Sequence, residues 1–268
     1  MSDMRRRQGS CVVTGAARGI GRGIAERLVS EGHQVVITDL DAAAVVATAA
    51  EIGAVVGIQQ DVRDPASHRE VAQVALGHGP LRAWFNNAGV GWDGPLSDLG
   101  DEQIRGLVEI NLLGVLWGMR AALASFATGR DGGGDIVNTA SLSGLGPVPG
   151  LSVYAATKAA VVSATMSVAI EAPRGVRVHA ILPDGVATPM VDAMDPGGLA
   201  KALVSSGGHL LSVEEIAEAA VGLLGSRRVL RTVPPWRGAV MRGSSLAPSW
   251  AAGGMALFAV QGRRALRR

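Results

Sequence analysis

Thr14-Gly15-Ala16-Ala17-Arg18-Gly19-Ile20-Gly21 follows directly on the apolar run Cys11-Val12-Val13 and leads into a helical pattern from about Ile20 to Glu31. A strand that enters a glycine-rich turn and then a helix is suited to phosphate. Glycine permits the sharp turn and a close backbone approach, while the amides and dipole of the helix N-terminus stabilise the charge of a pyrophosphate. Gly15, Arg18, Gly19, Ile20 and Gly21 are therefore expected to hold a dinucleotide. The alternation continues downstream. Short apolar runs at 34–38, 54–59, 83–86, 135–139 and 176–182 read as buried strands, and helical patterns at 41–51, 65–76, 101–126 and 152–171 fall between them. Six strands separated by helices predict an α/β fold, a single doubly wound Rossmann-type domain with a mainly parallel sheet. The regularity stops at Pro183; 184–211 is rich in Gly, Pro and Met, and a helix resumes at 213–224 with Ser212 as its N-cap. The expected organisation is one domain over 1–225, with 184–211 as its substrate loop, and an atypical basic extension over 226–268 on or beside it.

Asp39 ends the second predicted strand, about 20 residues beyond the loop, where a carboxylate can accept hydrogen bonds from an adenosine ribose. Such a carboxylate repels a ribose 2′-phosphate, which favours NAD over NADP. Arg18 pulls toward NADP, and Asp39 carries more weight because it should touch the ribose itself. Asp39 could instead cap the next helix, although Asp41 can fill that role. Asp61-Val62 follows the third strand, where Asp61 either faces the adenine or serves as a turn residue before Asp64-Pro65.

Tyr154 is the single tyrosine of the chain, and Lys158 stands four positions after it. On a helix that spacing puts both side chains on one face, where the ammonium would favour a phenolate. The pair is a candidate for proton exchange near neutral pH. Taken alone, a surface Tyr and Lys that meet by chance is the plainer reading of such a pair.

Composition narrows the rest. At 268 residues, 48% of them hydrophobic, the chain can build one large core. The single cysteine, Cys11, lies in an apolar strand and excludes an internal disulfide, which fits a reducing compartment and a cytoplasmic location. Arg5-Arg6-Arg7 near the start has no apolar run behind it, unlike a signal peptide. Formal charge is +2, yet arginines crowd the end, at Arg227, Arg228, Arg231, Arg237, Arg242, Arg263, Arg264, Arg267 and Arg268. A solvated face is the plainer reading of that tail, and peripheral contact with an anionic membrane the weaker one. No nucleic acid is expected, because aromatics make up only 3% and do not interleave with a basic patch. No metal is expected either, since the histidines share no ligand spacing with one another or with Cys11. His179 lies in an apolar strand and reads as a core residue.

Thr14-Gly15-x-x-x-Gly19-x-Gly21, Asn87-Ala88-Gly89, Asn111, Ser141 and Tyr154-x-x-x-Lys158 together resemble the short-chain dehydrogenase/reductase family, in its order and at its spacings over about 10–189. The resemblance implies a sheet usually of seven strands, and hydride transfer between NAD(P) and a small-molecule alcohol or ketone. It implies a proton-exchanging Tyr154, an orienting Ser141, and a Lys158 that lowers the tyrosine pKa and binds the nicotinamide ribose. Asn111 matches a residue that helps hold a water in a proton relay, and could equally be a helix-kinking polar group bonded to backbone. Asn87, with Ala88 and Gly89, would contact the cofactor or brace the fourth strand. Val186 and Thr188 match residues that meet the carboxamide, and Leu142, Leu151 and Met190, with Val148, Met194 and Trp92, would border an apolar substrate alongside Ser141 and Tyr154.

Two departures stand out. Asp184 replaces a glycine of the family's pattern and could face the phosphates, the substrate or solvent. The usual closing strand ending in Asp-Gly-Gly is absent; Val233-Pro234-Pro235-Trp236 leads into the tail instead. Because that ending often helps build a tetramer, a homodimer is expected alongside the homotetramer. The leading expectation is an NAD-dependent secondary-alcohol dehydrogenase or ketoreductase acting on an apolar molecule. The alternative is a catalytically silent dinucleotide-binding regulatory or scaffold protein, against which the complete Ser141, Tyr154, Lys158 and Asn111 set argues.

Overall fold

The computed structural model describes residues 9–128, 132–246 and 248–266. Arg5, Arg6, Arg7, Arg267 and Arg268 lie outside the described residues. Seven strands, β1 (Ser10–Thr14), β2 (Gln34–Asp39), β3 (Val56–Gln59), β4 (Leu81–Asn86), β5 (Gly134–Thr139), β6 (Val176–Pro183) and β7 (Leu230–Val233), form one sheet in the order β3-β2-β1-β4-β5-β6-β7. All pairings are parallel. The helices are α1 (Gly19–Ser30), α2 (Ala42–Ile52), α3 (Pro65–Gly77), α4 (Asp101–Val108), α5 (Gly114–Thr128), α6 (Ser152–Glu171), α7 (Pro189–Asp192), α8 (Leu199–Val204), α9 (Val213–Val221), α10 (Pro235–Leu246) and α11 (Pro248–Ala265).

Both faces of the sheet are buried, so its strands are nearly uniform apolar runs whose successive side chains feed opposite layers. Cys11, Val13, Ile37, Phe85 and Ile181 pack with Ile24 of α1 and Ile216 of α9. Val12, Trp84, Ile136 and Leu182 pack with Val71 of α3, Met119 of α5 and Val161 of α6. Burial pushes the Cys11 thiol up to about 12, which leaves it protonated and inert. His179 is buried as expected, with Nε2 3.0 Å from Asp135 Oδ1 and Nδ1 2.6 Å from the Arg228 carbonyl.

Helix starts follow their sequences. Asp41 caps α2, Asp64 caps α3 with Pro65 in its first turn, and Ser212 and Glu215 form a reciprocal capping box on α9. The start of α1 differs, for Arg18 gives it no side-chain cap. Its amides remain available at the C-terminal edge of β1. The order reverses between β1 and β4, so the crevice of a doubly wound sheet falls there.

Two elements depart from the expected pattern. The long helix anticipated over 101–126 is broken by a five-residue π-turn, Glu109–Leu113. Such turns recur at functional sites. The seventh strand comes from a segment that carried no strand signal, because β7 is a short, half-buried edge whose Arg231 donates to the Ala219 carbonyl at 2.9 Å.

Candidate active site

A cleft of about 960 Å³ opens along the C-terminal edge of the sheet, at the upper end of the range usual for small-molecule sites. Gly15, Arg18, Gly19, Ile20, Asp39, Asp61 and Val62 line one end. Gly15 holds φ +62°, and a Cβ there would stand 2.6 Å from Ala88 Cα. Gly19 holds φ +57°, and a Cβ there would meet only Thr188 Cγ2, at 3.7 Å. Both conformations favour glycine. At Gly21 a Cβ would run into the Gly15 carbonyl, so this glycine serves the turn itself. The result is bare main chain and uncapped helix amides facing the cleft, a cradle that fits a pyrophosphate.

Asp39 is not a helix cap. Its Oδ2 accepts from Ala17 N at 3.0 Å and its Oδ1 from Asp41 N at 3.3 Å, which fixes the carboxylate at the cleft beside the loop. Arg18 is exposed at the rim. Asp61 also lines the cleft, but its carboxylate is held by Arg63, with Nη2 2.6 Å from Oδ2. That guanidinium keeps the Asp61 pKa below the usual carboxylate range.

Asn87 braces the strands. Its Nδ2 donates to the carbonyls of Thr14 and Gly15 at 3.2 and 3.1 Å, and its Oδ1 accepts from Thr139 Oγ1 at 3.1 Å. The main-chain amides of Asn87 and Ala88 donate to Thr14 Oγ1. Asn111 lies in the π-turn, wholly buried, and both ends of its amide are taken by Val90: Nδ2 donates to the carbonyl and Oδ1 accepts from the amide, each at 2.8 Å. Its side chain thereby fixes the 87–90 loop that carries Gly89 along the cleft floor.

Ser141, Tyr154 and Lys158 converge beside that loop. Ser141 stands close enough to the Tyr154 hydroxyl to lower the phenol's pKa, and Ser141 Oγ accepts from Ser143 N at 3.1 Å. Lys158 Nζ donates to the Thr139 carbonyl at 2.7 Å and lies 5.6 Å from the Tyr154 ring centroid. The charge balance differs from the sequence expectation. Burial pushes the Tyr154 phenol up to about 12, with Ser141 acting downward, and burial drops the Lys158 ammonium to about 8. Desolvation sets the direction of both shifts, disfavouring the charged form of each group.

Val186 and Thr188 line the cleft after β6; Val186 is buried and bridges to Leu211, while Thr188 Oγ1 lies 3.3 Å from the Val186 carbonyl. Leu142, Leu151 and Met190 border the other end, where Leu151 packs with Met194, Val148 and Tyr154. Asp184 does not act toward solvent. It pairs with Arg237 of α10, Arg237 Nε standing 2.7 Å from Asp184 Oδ2 and Nη2 3.3 Å from Oδ1. Arg237, Met241 and Phe258, from α10 and α11, complete the wall. Sequence reading missed these three, and only the acid at a glycine position hinted that Asp184 needed a cation.

The model of the family described as short chain dehydrogenase matches residues 10–197. The chain belongs to the short-chain dehydrogenases. This short-chain dehydrogenase is 42% identical over 190 residues to the sorbitol dehydrogenase of Cereibacter sphaeroides, covering 69% of its own length and 73% of that protein. It is 35% identical over 192 residues to a diacetyl reductase [(S)-acetoin forming] of Staphylococcus epidermidis, covering 69% of its length and 74% of the relative. Among solved structures it resembles a short chain dehydrogenase/reductase from Burkholderia phymatum in complex with NAD, with a TM-score of 0.76 and 29% identity over 87% of this chain and 92% of that one. The short-chain dehydrogenase is thus an oxidoreductase, with its β7–α11 segment beyond the reach of the family match.

Proposed function

We propose that this protein interconverts a secondary alcohol and a ketone with NAD, using Tyr154 as the acid and base. The observation that carries the reading is the Ser141–Tyr154 hydroxyl pair, with Lys158 beside it, in one cleft with the glycine cradle and Asp39. When bound, the dinucleotide supplies the hydride acceptor or donor. Gly15, Gly19, Gly21 and the α1 amides would hold its pyrophosphate, Asp39 its adenosine ribose, and Lys158 its second ribose, with Val186 and Thr188 bordering the nicotinamide. Ser141 orients the substrate oxygen and hydrogen-bonds the charge developing on it. Tyr154 gives a proton to that oxygen in reduction and takes it back in oxidation. Burial pushes the phenol up to about 12, so in the nucleotide-free protein it holds the proton that reduction would use. The names of the relatives, a diacetyl reductase and a sorbitol dehydrogenase, support a carbonyl and secondary-alcohol chemistry.

Asp39 supports NAD over NADP, since a carboxylate lining the cleft beside the glycine loop would repel a ribose 2′-phosphate. A cytoplasmic location and a homodimer or homotetramer belong to the same proposal. The exposed Met166 and Ile170 of α6 offer apolar surface for a second copy. The deciding experiment is Tyr154→Phe. Substrate-dependent NADH oxidation is expected to fall by about 10³-fold or more while NADH binding, followed by fluorescence, stays within about twofold. Turnover near wild type in that variant would refute the mechanism.

A further inference from the structure

The helices after β7 pack onto the edge strand, the Ser141 turn and the substrate loop at four places. A Cβ at Gly238 of α10 would stand 2.5 Å from Thr232 of β7, so α10 lies directly on the edge strand. A Cβ at Gly146, just after the Ser141 turn, would stand 2.8 Å from the Met241 carbonyl of the same helix. At Gly262 of α11, a Cβ would collide with the Ala202 carbonyl of α8 in the substrate loop. The fourth place is ionic. Arg237 reaches back to Asp184, immediately after β6, and its Nη2 also donates to Ser206 Oγ at 3.0 Å. Asp184 and Arg237 are largely buried, at 13% and 10% side-chain exposure.

A buried ion pair is seldom the cheapest way to stabilise a fold, because desolvating both charges offsets most of their attraction. What it supplies is a fixed relative position. Asp184 stands two residues before Val186, so the pair ties the wall carrying Met241 and Phe258 to the segment that borders the nicotinamide end. The polar groups of this wall are also spent on one another. Arg237 bonds to both Asp184 and Ser206, and Val148, Leu151 and Met194 line the same cleft. A polyol here would lose its water hydrogen bonds without replacing them, whereas a ring-sized apolar body would fill the space.

We propose that the Asp184–Arg237 pair is a specificity-determining latch, which positions the α10–α11 wall so that the site selects bulky apolar ketones over small polar ones. This rests on the oxidoreductase reading above. Arg237 acts through the wall and is a positioning residue. The test uses NADH with two probes, trans-1-decalone as the bulky apolar ketone and 2,3-butanedione as the small one. It compares wild type with Arg237→Met and with Asp184→Asn/Arg237→Met, the double variant leaving no unpaired buried charge if the single one fails to fold. Backbone amide exchange of residues 235–246 in the NAD-bound protein is followed in parallel.

Wild type is expected to prefer decalone by about tenfold in kcat/KM; in the variants this preference falls about tenfold, chiefly through the decalone KM. Exchange over 235–246 quickens while exchange in β1 to β5 holds. A merely structural pair would lower both ketones together and leave the ratio alone. A wild-type preference for 2,3-butanedione, a ratio unmoved within about twofold, or unchanged exchange over 235–246 overturns the latch. If wild type reduces neither ketone, the activity reading falls instead, and the exchange measurement alone decides whether the pair holds the wall.

Discussion

The glycine loop after β1 and the helical wall after β7 line the same cleft, but the first is shaped by main chain and the second by side chains. In the loop, Gly15 and Gly19 take left-handed conformations, Ala88 closes against Gly15, and the α1 amides stay uncapped. In the wall, position depends on Arg237 reaching Asp184 across 53 residues and on Phe258 and Met241 filling space. A surface made of backbone tolerates few atoms at its glycines and is indifferent to the substrate. A surface made of side chains is set residue by residue, and under the latch proposed above it selects the ketone.

The strongest way to break this contrast is Gly15→Val. The branched side chain must adopt φ +62° and meet Ala88, so NADH affinity is expected to drop by about 100-fold or the fold to fail, as binding titration and thermal melting would show. Retained affinity would mean the loop is not the cradle. Asp39→Ala should act more gently. The NAD-over-NADP preference in kcat/KM is expected to shift toward NADP by about tenfold, and a wild type that already prefers NADP contradicts the reading of Asp39.

Lys158→Met sharpens the same picture through pH. With its folded pKa lowered to about 8 against an ordinary 10.5, Lys158 makes the unfolded chain bind more protons between those values, so its contribution to stability rises with pH across that window. Below about pH 8 both states are protonated and the burial cost is present in full. Melting curves of the nucleotide-free protein from pH 8 to 10 should show wild type gaining about 2 kcal/mol relative to Lys158→Met. Tyr154, raised to about 12, adds nothing until pH passes its ordinary 10. Phe258→Ala, the mildest change, should leave NADH affinity within about twofold and alter only the ranking of ketones. Lost nucleotide affinity there would erase the division between the two regions.

The same contrast explains what could be read from the chain. Six strands, the α1 loop and the helix carrying Tyr154 and Lys158 announce themselves because each rests on local pattern: apolar runs, glycines at fixed offsets, residues four apart. Ser212 and Asp41 as caps are equally local. β7 was hidden, since an edge strand of four half-buried residues with an arginine carries no apolar run. The role of Asp184 stayed open because its partner is remote in sequence. The upward Tyr154 shift is not legible for a different reason: spacing shows that Lys158 is near, but only the fold shows that Lys158 is buried and the half-buried phenol is partly withdrawn from water.

Cys11 has a practical consequence. As the chain's one cysteine, wholly buried in β1 with its thiol held protonated, it leaves the native protein without a group for maleimides or other thiol probes. A cysteine introduced at Leu246, which is 87% exposed at the end of α10, would then be the sole reactive handle. A dye placed there could follow the wall by spectroscopy in otherwise unmodified protein, with no cysteine-free background to prepare.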